Sequence, residues 1–353
     1  MGSTLSSYMN ALPPLTDFFP PTPEAYCIVL NIFQYFPLFT TLQWLLSFHP
    51  AGKTSLKNSL LNIPGRFGWF VMEAIGPVNL IYTLWRLPTG TGSDFWSLPL
   101  ASQLCAGLYV LHYVNRAVIS PFFSAPSMSP IHLLVVGMAA IFNWMNSVCL
   151  AAWIFGYTAP VAGYRDSYFD ANEVGGIPTF LSFIGLGLFF TGMIGNIHAE
   201  RQLFQLRRDE ADRRLAKREQ SKNQGDSKNK YHKVYVIPPT QGVFRSILYP
   251  HYVFEWIEWL GFALVGTSVL PQRGFVPNST PSLPLKVAPW LVPAVVFAEK
   301  LNIRLPLPAV VFFVNAVTNM LPHARWGRKW YVQSFGEKAV AGRGAVVPWC
   351  SWM

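Results

Sequence analysis

Apolar residues run along this chain in long blocks rather than in alternating strips, and the charged positions collect between the blocks. Seven blocks stand out, near residues 26–48, 66–86, 99–120, 132–155, 177–197, 248–270 and 289–319. Several approach the ~20 apolar residues that cross a hydrocarbon layer about 30 Å thick. Lipid offers no partner to an unpaired backbone N–H or C=O, so each such block is predicted to be helical. The pattern therefore predicts an all-α, polytopic membrane protein of about seven transmembrane helices. Residues 1–25 form an N-terminal segment in this reading, and 26–353 form a single transmembrane domain. The last block is broken by Pro293, Pro306 and Pro308 and carries Glu299, Lys300 and Arg304, so two short helices or one re-entrant segment both fit it.

Composition agrees with that reading. Of 353 residues, 51% are hydrophobic and only 12% charged, against about a quarter charged in a soluble domain. This excludes an ordinary soluble globule. The formal net charge of +10 sits in loops beside apolar blocks rather than on one soluble face. It points to membrane lipid and a phosphate-bearing cofactor and away from nucleic acid. Cys27, Cys105, Cys149 and Cys350 lie singly, without the spacing of a disulfide framework or a zinc site. They read as small hydrophobes, and no metal is expected. The N-terminus lacks the pattern of a cleaved signal peptide, so the first block is expected to remain as an anchor.

Loop charge then orients the chain. Asp17 and Glu24 precede the first block, whereas Lys53, Lys57 and Arg66 follow it. The loop near 156–176 carries Asp166, Asp170 and Glu173 against Arg165. Residues 200–247 are dense in Arg and Lys, and the tail, 320–353, has Arg325, Arg328, Lys329 and Arg343. The positive-inside rule predicts a lumenal N-terminus and a cytosolic C-terminus. The sequon Asn278-Ser279-Thr280 falls on the lumenal side of this topology. Residues 207–233 read as a charged helix running into a low-complexity stretch, Ser221 to Ser227.

Some polar residues stand where lipid is expected. Glu73, inside Trp69-Phe70-Val71-Met72-Glu73-Ala74, is costly in an apolar span and so marks either a functional site or a packing ion pair. His112, Tyr113, Asn115 and Arg116 crowd the end of the third block, and a tyrosine there can donate a proton or a hydrogen bond, or simply anchor at the interface. Asn196 and Glu200 share a helix face at i, i+4 near His198, Arg201 and Arg207. That strip suits ribose and phosphate groups, and it equally suits an amphipathic exit from the membrane. His251, Glu255 and Glu258 lie among aromatics. The run His323-Ala324-Arg325-Trp326-Gly327-Arg328-Lys329-Trp330-Tyr331 interleaves basic and aromatic residues, fitting phosphate contact or an anionic membrane surface.

These residues, in this order, resemble the steroid 5α-reductase family from about residue 66 to the C-terminus. Gly68-Trp69-Phe70-Val71-Met72-Glu73 is similar to the segment with the family's catalytic Glu, and Leu111-His112-Tyr113-Val114-Asn115-Arg116 to that with its catalytic Tyr. Asn196-Ile197-His198-Ala199-Glu200 with Leu206-Arg207 is similar to its cofactor-binding run, Tyr235-Val236-Ile237-Pro238 with Gly242-Val243-Phe244 resembles one of its loops, and Glu255 to Phe262 resembles its glutamate-containing segment. The resemblance implies an endoplasmic reticulum enzyme that binds NADPH from the cytosolic side and a lipophilic enone, such as a 3-oxo-Δ4 steroid, within the bundle. It implies catalytic roles for Glu73 and Tyr113. It implies cofactor contacts by Asn196, Glu200, Arg207, Tyr235, His251, Glu255, Arg328 and Tyr331, and it calls for no obligate protein partner. The chain departs from the pattern in an insertion around 209–230, in Val236 where relatives can have Arg, in His251 where they can have Asn, and in the Trp326–Tyr331 run. Alternative readings are a polyprenoid or trans-2-enoyl-CoA reductase of the same superfamily, or a non-catalytic sterol-binding or transport protein. The sequence shows no inverted repeat of the kind common in transporters.

Overall fold

The computed structural model describes residues 13–45, 59–162, 164, 177–220, 230–231, 234–270, 284–350 and 352. Helices follow the apolar blocks. Helix α1 (Pro23–Phe33) opens with proline at its first turn, and the Thr22 side chain accepts from Ala25 N at 3.3 Å, satisfying one free N–H. A short turn leads to α2 (Pro37–Leu45), and α3 (Gly65–Gly90) carries Pro77 in its interior. Helix α4 (Leu100–Tyr113) widens without a break into a π-helix, Val114–Ser124. The later helices are α5 (Leu133–Phe155), α6 (Ile177–Gln220), α7 (Pro250–Gly266), α8 (Val292–Lys300), α9 (Leu307–Phe335) and the single turn α10 (Glu337–Val340). Two-residue strands β1 (Asn62–Ile63) and β2 (Ile131–His132) pair antiparallel and tie the start of α3 to the start of α5.

Five of these segments are long and apolar enough to cross a membrane: Pro23–Leu45, Gly65–Gly90, Leu133–Phe155, Ile177–Gln220 and Leu307–Phe335. The blocks near 99–120 and 248–270 are helical too, the first divided between α4 and the π-helix and the second shortened to α7, which Pro250 starts and Thr267 ends. The proline-broken block resolves into two helices. The chain leaves α8 through Asn302, whose φ is +49°, and re-enters a helix at Leu307 after Pro306. Helix α9 then continues to Phe335, so the basic-aromatic run expected in a tail is the second half of a long helix. The charged helix expected after residue 207 is present as the end of α6, to Gln220. The stretch Ser221 to Ser227, the loop residues Lys53, Lys57, Arg165, Asp166, Asp170 and Glu173, and the sequon at Asn278 lie outside the described residues.

The distribution of side chains is that of a protein in lipid. Phe67, Val78, Ile81 and Trp85 on α3 and Phe180, Phe183 and Ile194 on α6 are exposed, while Asn143, Asn146, Ser147, Glu255, Glu258 and Asn315 are buried. Tyr26, Leu30, Phe33, Tyr109, Trp259, Phe262 and Phe312 build the apolar centre. Cys105 and Cys149 are buried and Cys27 and Cys350 half-buried, all as free thiols. Helices α6 and α7 touch backbone to backbone. A Cβ on Gly192 would strike the Glu258 amide and the Phe254 carbonyl, and one on Gly261 would lie 2.5 Å from the Gly185 oxygen. Small residues at such a seam let two helices approach, and here the approach sets Asn196 and Glu200 beside Glu255.

Candidate active site

The polar groups converge on Arg116. The π-helix, with its i→i+5 bonding, places Arg116 and Ser120 on one side, and both reach Glu200 of α6. The Arg116 guanidinium is 3.2 Å from Glu200 Oε1, and Ser120 donates to Glu200 Oε2 at 3.1 Å. Arg116 also lies 3.5 Å from Glu73 Oε1 on α3 and 4.0 Å from Glu255 Oε2 on α7. Its guanidinium covers the Trp69 ring at 4.7 Å, and Trp69 Nε1 donates to the Arg116 carbonyl at 3.0 Å. Three carboxylates from three helices thus share one cation in a largely dry setting, a cluster that costs desolvation.

Tyr113, at the last turn of α4, is 4% exposed, and its hydroxyl donates to Asn143 Oδ1 on α5 at 2.9 Å. Asn143 Nδ2 donates in turn to the Met72 carbonyl at 2.7 Å and to Glu73 Oε2 at 3.4 Å. Glu73 and Tyr113, singled out in the sequence forty positions apart, are therefore brought to a single amide. Tyr109 packs its ring, tilted by 42°, with its centroid 4.6 Å from that of Tyr113, and Gly76 makes room for the Tyr109 hydroxyl, since a Cβ there would sit 2.7 Å from it. Next to Tyr113, His112 Nδ1 meets Glu258 Oε1 at 2.8 Å, with the Trp259 ring 4.4 Å from the imidazole.

The expected cofactor residues form two groups. Asn196, Glu200, His251 and Glu255 join the cluster: Asn196 Nδ2 donates to the His251 carbonyl at 3.1 Å and to Glu255 Oε2 at 3.0 Å. Arg207 lies further along α6, Tyr331 on α9 and Tyr235 in the loop before α7. Arg207 donates to Ser127 Oγ at 2.7 Å, to the Ser127 carbonyl at 3.2 Å and to the Val234 carbonyl at 3.3 Å. Tyr235 packs edge-on to Trp330 with 5.0 Å between centroids, and Tyr331 lies 6.1 Å from Tyr249, which is 5.7 Å from His251. Arg328 turns elsewhere, to the Arg343 carbonyl at 2.9 Å and Glu337 at 3.2 Å.

The sequence reading did not select Asn143, Ser120 or Arg343 for the site. Asn143 carried a usable signal, an amide inside an apolar block where polar groups are expensive. Arg343 is 1% exposed and donates to the carbonyls of Val340 (2.9 Å), Pro238 (2.9 Å), Phe244 (3.1 Å), Ala339 (3.3 Å) and Pro239 (3.4 Å). Burial draws its pKa below the usual arginine value, with the Tyr331 phenol pushing the other way. The group keeps its charge at neutral pH because that usual value lies above 12.

An acid, a tyrosine and an arginine are thus gathered between the helices, and comparison with known proteins narrows the class. The family model for 3-oxo-5-alpha-steroid 4-dehydrogenase matches residues 129–276. Steroid 5-alpha-reductase DET2 of Arabidopsis thaliana is 27% identical over 92% of this chain and 95% of its own length. An uncharacterized protein of Schizosaccharomyces pombe is 27% identical over 85% of this chain and 90% of its own. Human 3-oxo-5-alpha-steroid 4-dehydrogenase 1 is 28% identical over 62% of this chain and 69% of its own. These matches make the chain similar to the steroid 5α-reductase family and support an oxidoreductase of the 3-oxo-5α-steroid 4-dehydrogenase type.

Proposed function

We propose that this protein uses NADPH to reduce the C4–C5 double bond of a 3-oxo-Δ4 steroid or a similar apolar enone, from seven helices in the endoplasmic reticulum membrane, with its N-terminus lumenal and its C-terminus cytosolic. The observation that carries the reading is the meeting of the Glu73 carboxylate and the Tyr113 hydroxyl on Asn143 inside an apolar bundle. Trp259 and Phe312, which pack around Tyr113 and Tyr109, suit a lipophilic substrate. The orientation is supported by Arg207, Arg208 and Arg328, which occupy the far halves of α6 and α9.

The donor set fits a dinucleotide. Glu200 and Glu255 offer acceptors for ribose hydroxyls and a carboxamide, and Arg207 beside Ser127 offers donors for a phosphate. Asn196, His251, Tyr235, Tyr331 and Arg328 are the remaining proposed holders of the cofactor. When bound, NADPH supplies a hydride to the β-carbon of the enone. Tyr113 and, in its protonated carboxylic-acid form, Glu73 donate hydrogen bonds to the carbonyl oxygen, where the electron pair of the C=C bond arrives, and stabilise the enolate more than the ground-state carbonyl. The α-carbon then takes a proton and the carbonyl re-forms. The apolar walls keep water from the reacting atoms and strengthen each hydrogen bond.

The test measures NADPH consumption and steroid product in membranes holding the wild type, Glu73→Gln or Tyr113→Phe. Saturated 3-oxo product from the wild type is expected, with turnover lower by on the order of 10²–10³-fold in each variant and NADPH binding retained. NADPH binding without steroid product would move the substrate to a polyprenoid or trans-2-enoyl-CoA lipid. A chain that binds a sterol but no NADPH would be a binding or transport protein.

A further inference from the structure

Asn143 stands between the two proposed catalytic groups and belongs to neither of their helices. Its amide orientation follows from chemistry. The Met72 carbonyl oxygen only accepts, so the atom 2.7 Å from it is Nδ2. The atom 2.9 Å from the Tyr113 hydroxyl is then Oδ1, which also only accepts, and the hydroxyl proton must point at it. The second Nδ2 hydrogen is left for Glu73 Oε2 at 3.4 Å. Asn143 is 4% exposed, and with both ends of its amide engaged it has no freedom to flip without setting carbonyl against carbonyl.

We infer that Asn143 is a positioning residue for the reaction, holding the Glu73 carboxyl and fixing the place of the Tyr113 hydroxyl oxygen so that both groups stand beside one carbonyl oxygen. This rests on the roles proposed above for Glu73 and Tyr113. The Tyr113 proton rests on Asn143 Oδ1 in the free protein, and a substrate carbonyl competes for it by turning the hydroxyl about its C–O bond. Glu73, held from one side by Asn143, is held from the other by Arg116 at 3.5 Å. Without Asn143 that balance goes, and the carboxyl swings toward the cation. Docking of α3 on α5 has other supports besides this amide. Asn79 donates to Ser147 Oγ at 2.9 Å across the same interface, and the β1–β2 pair ties the two helix starts.

A double-mutant cycle tests this. Asn143→Leu keeps the volume and removes every hydrogen bond of the amide. Its turnover is expected to fall on the order of 10- to 100-fold, with NADPH binding, followed by cofactor fluorescence, unchanged. In a Tyr113→Phe background, where the hydroxyl is already gone, the same substitution is expected to cost about tenfold less. Asn143→Ser, which keeps one hydroxyl, should recover part of the rate; if the leucine variant does not bind NADPH, the cycle is run with serine instead. An equal penalty in both backgrounds, or none in either, overturns the inference while Glu73→Gln and Tyr113→Phe remain slow. If those two variants themselves keep wild-type turnover, the proposed catalysis fails and the inference fails with it.

Discussion

Two arginines of this protein, Arg116 half-buried and Arg343 fully buried, do opposite things. Arg116, on the π-helix, faces three carboxylates at 3.2, 3.5 and 4.0 Å, so negative charge exceeds positive around it. Arg343, just beyond α10, gives its hydrogen bonds to backbone carbonyls, which span the loop before α7 and the turn after α9. Beside it the chain pairs Ile247 with Gly344, and Leu248 N donates to the Gly344 carbonyl at 3.0 Å. A guanidinium ringed by neutral acceptors is a staple. One outnumbered by carboxylates leaves acceptors to spare, and such a site can take a ligand that brings donors. Burial of a charge therefore says little until its partners are counted.

Substitutions can separate the two. Arg116→Met leaves Glu73, Glu200 and Glu255 without their shared cation, and losing one partner of a buried pair costs about 3–5 kcal/mol. Turnover is expected to fall to background in the membrane assay, and substantial residual activity would mean that the carboxylates do not depend on Arg116. Arg343→Met strands several buried carbonyls, which cost about 1–3 kcal/mol each when unmatched, less where water enters. Thermal unfolding in detergent should drop by several degrees while the folded fraction keeps its turnover; a normal melting point with lost activity would make Arg343 part of the chemistry. Gly192→Ala forces α6 from α7 and should destabilise by about 1–3 kcal/mol, read in the same melt, with NADPH affinity falling because Asn196 and Glu255 part company. Asn196→Ala is the mildest. It should raise the KM for NADPH about tenfold, the worth of a hydrogen bond to a charged group, with little change in turnover at saturating cofactor, and an unchanged KM would remove Asn196 from the cofactor site.

Much of this was legible before any coordinates. Apolar blocks announced the helices because lipid forbids unpaired backbone, and the price of a carboxylate in such a block singled out Glu73. The i, i+4 spacing of Asn196 and Glu200 placed them on one face, and the structure turns that face toward α7. Other features could not be read in this way. The change from α to π after Tyr113, which aims Arg116 and Ser120 at Glu200, leaves no composition signal. The extension of α9 to Phe335 was hidden because its far half is basic and aromatic, the character of a tail. Arg328 looked like a phosphate ligand by its neighbours in sequence, yet its hydrogen bonds go to the Arg343 carbonyl and Glu337.

Sequence alone determined that the chain is a helical membrane protein, which residues are too polar for their surroundings, and which family it resembles, since each follows from local composition or from runs of neighbouring residues. Tertiary structure alone decided that Glu73 and Tyr113 meet at Asn143, that one cation serves three carboxylates, and that Arg343 is a staple. Those outcomes depend on how closely α3, α5, α6 and α7 approach one another. That closeness is set by packing, a glycine without a Cβ at one seam and a paired Asn79 and Ser147 at another, between residues far apart along the chain.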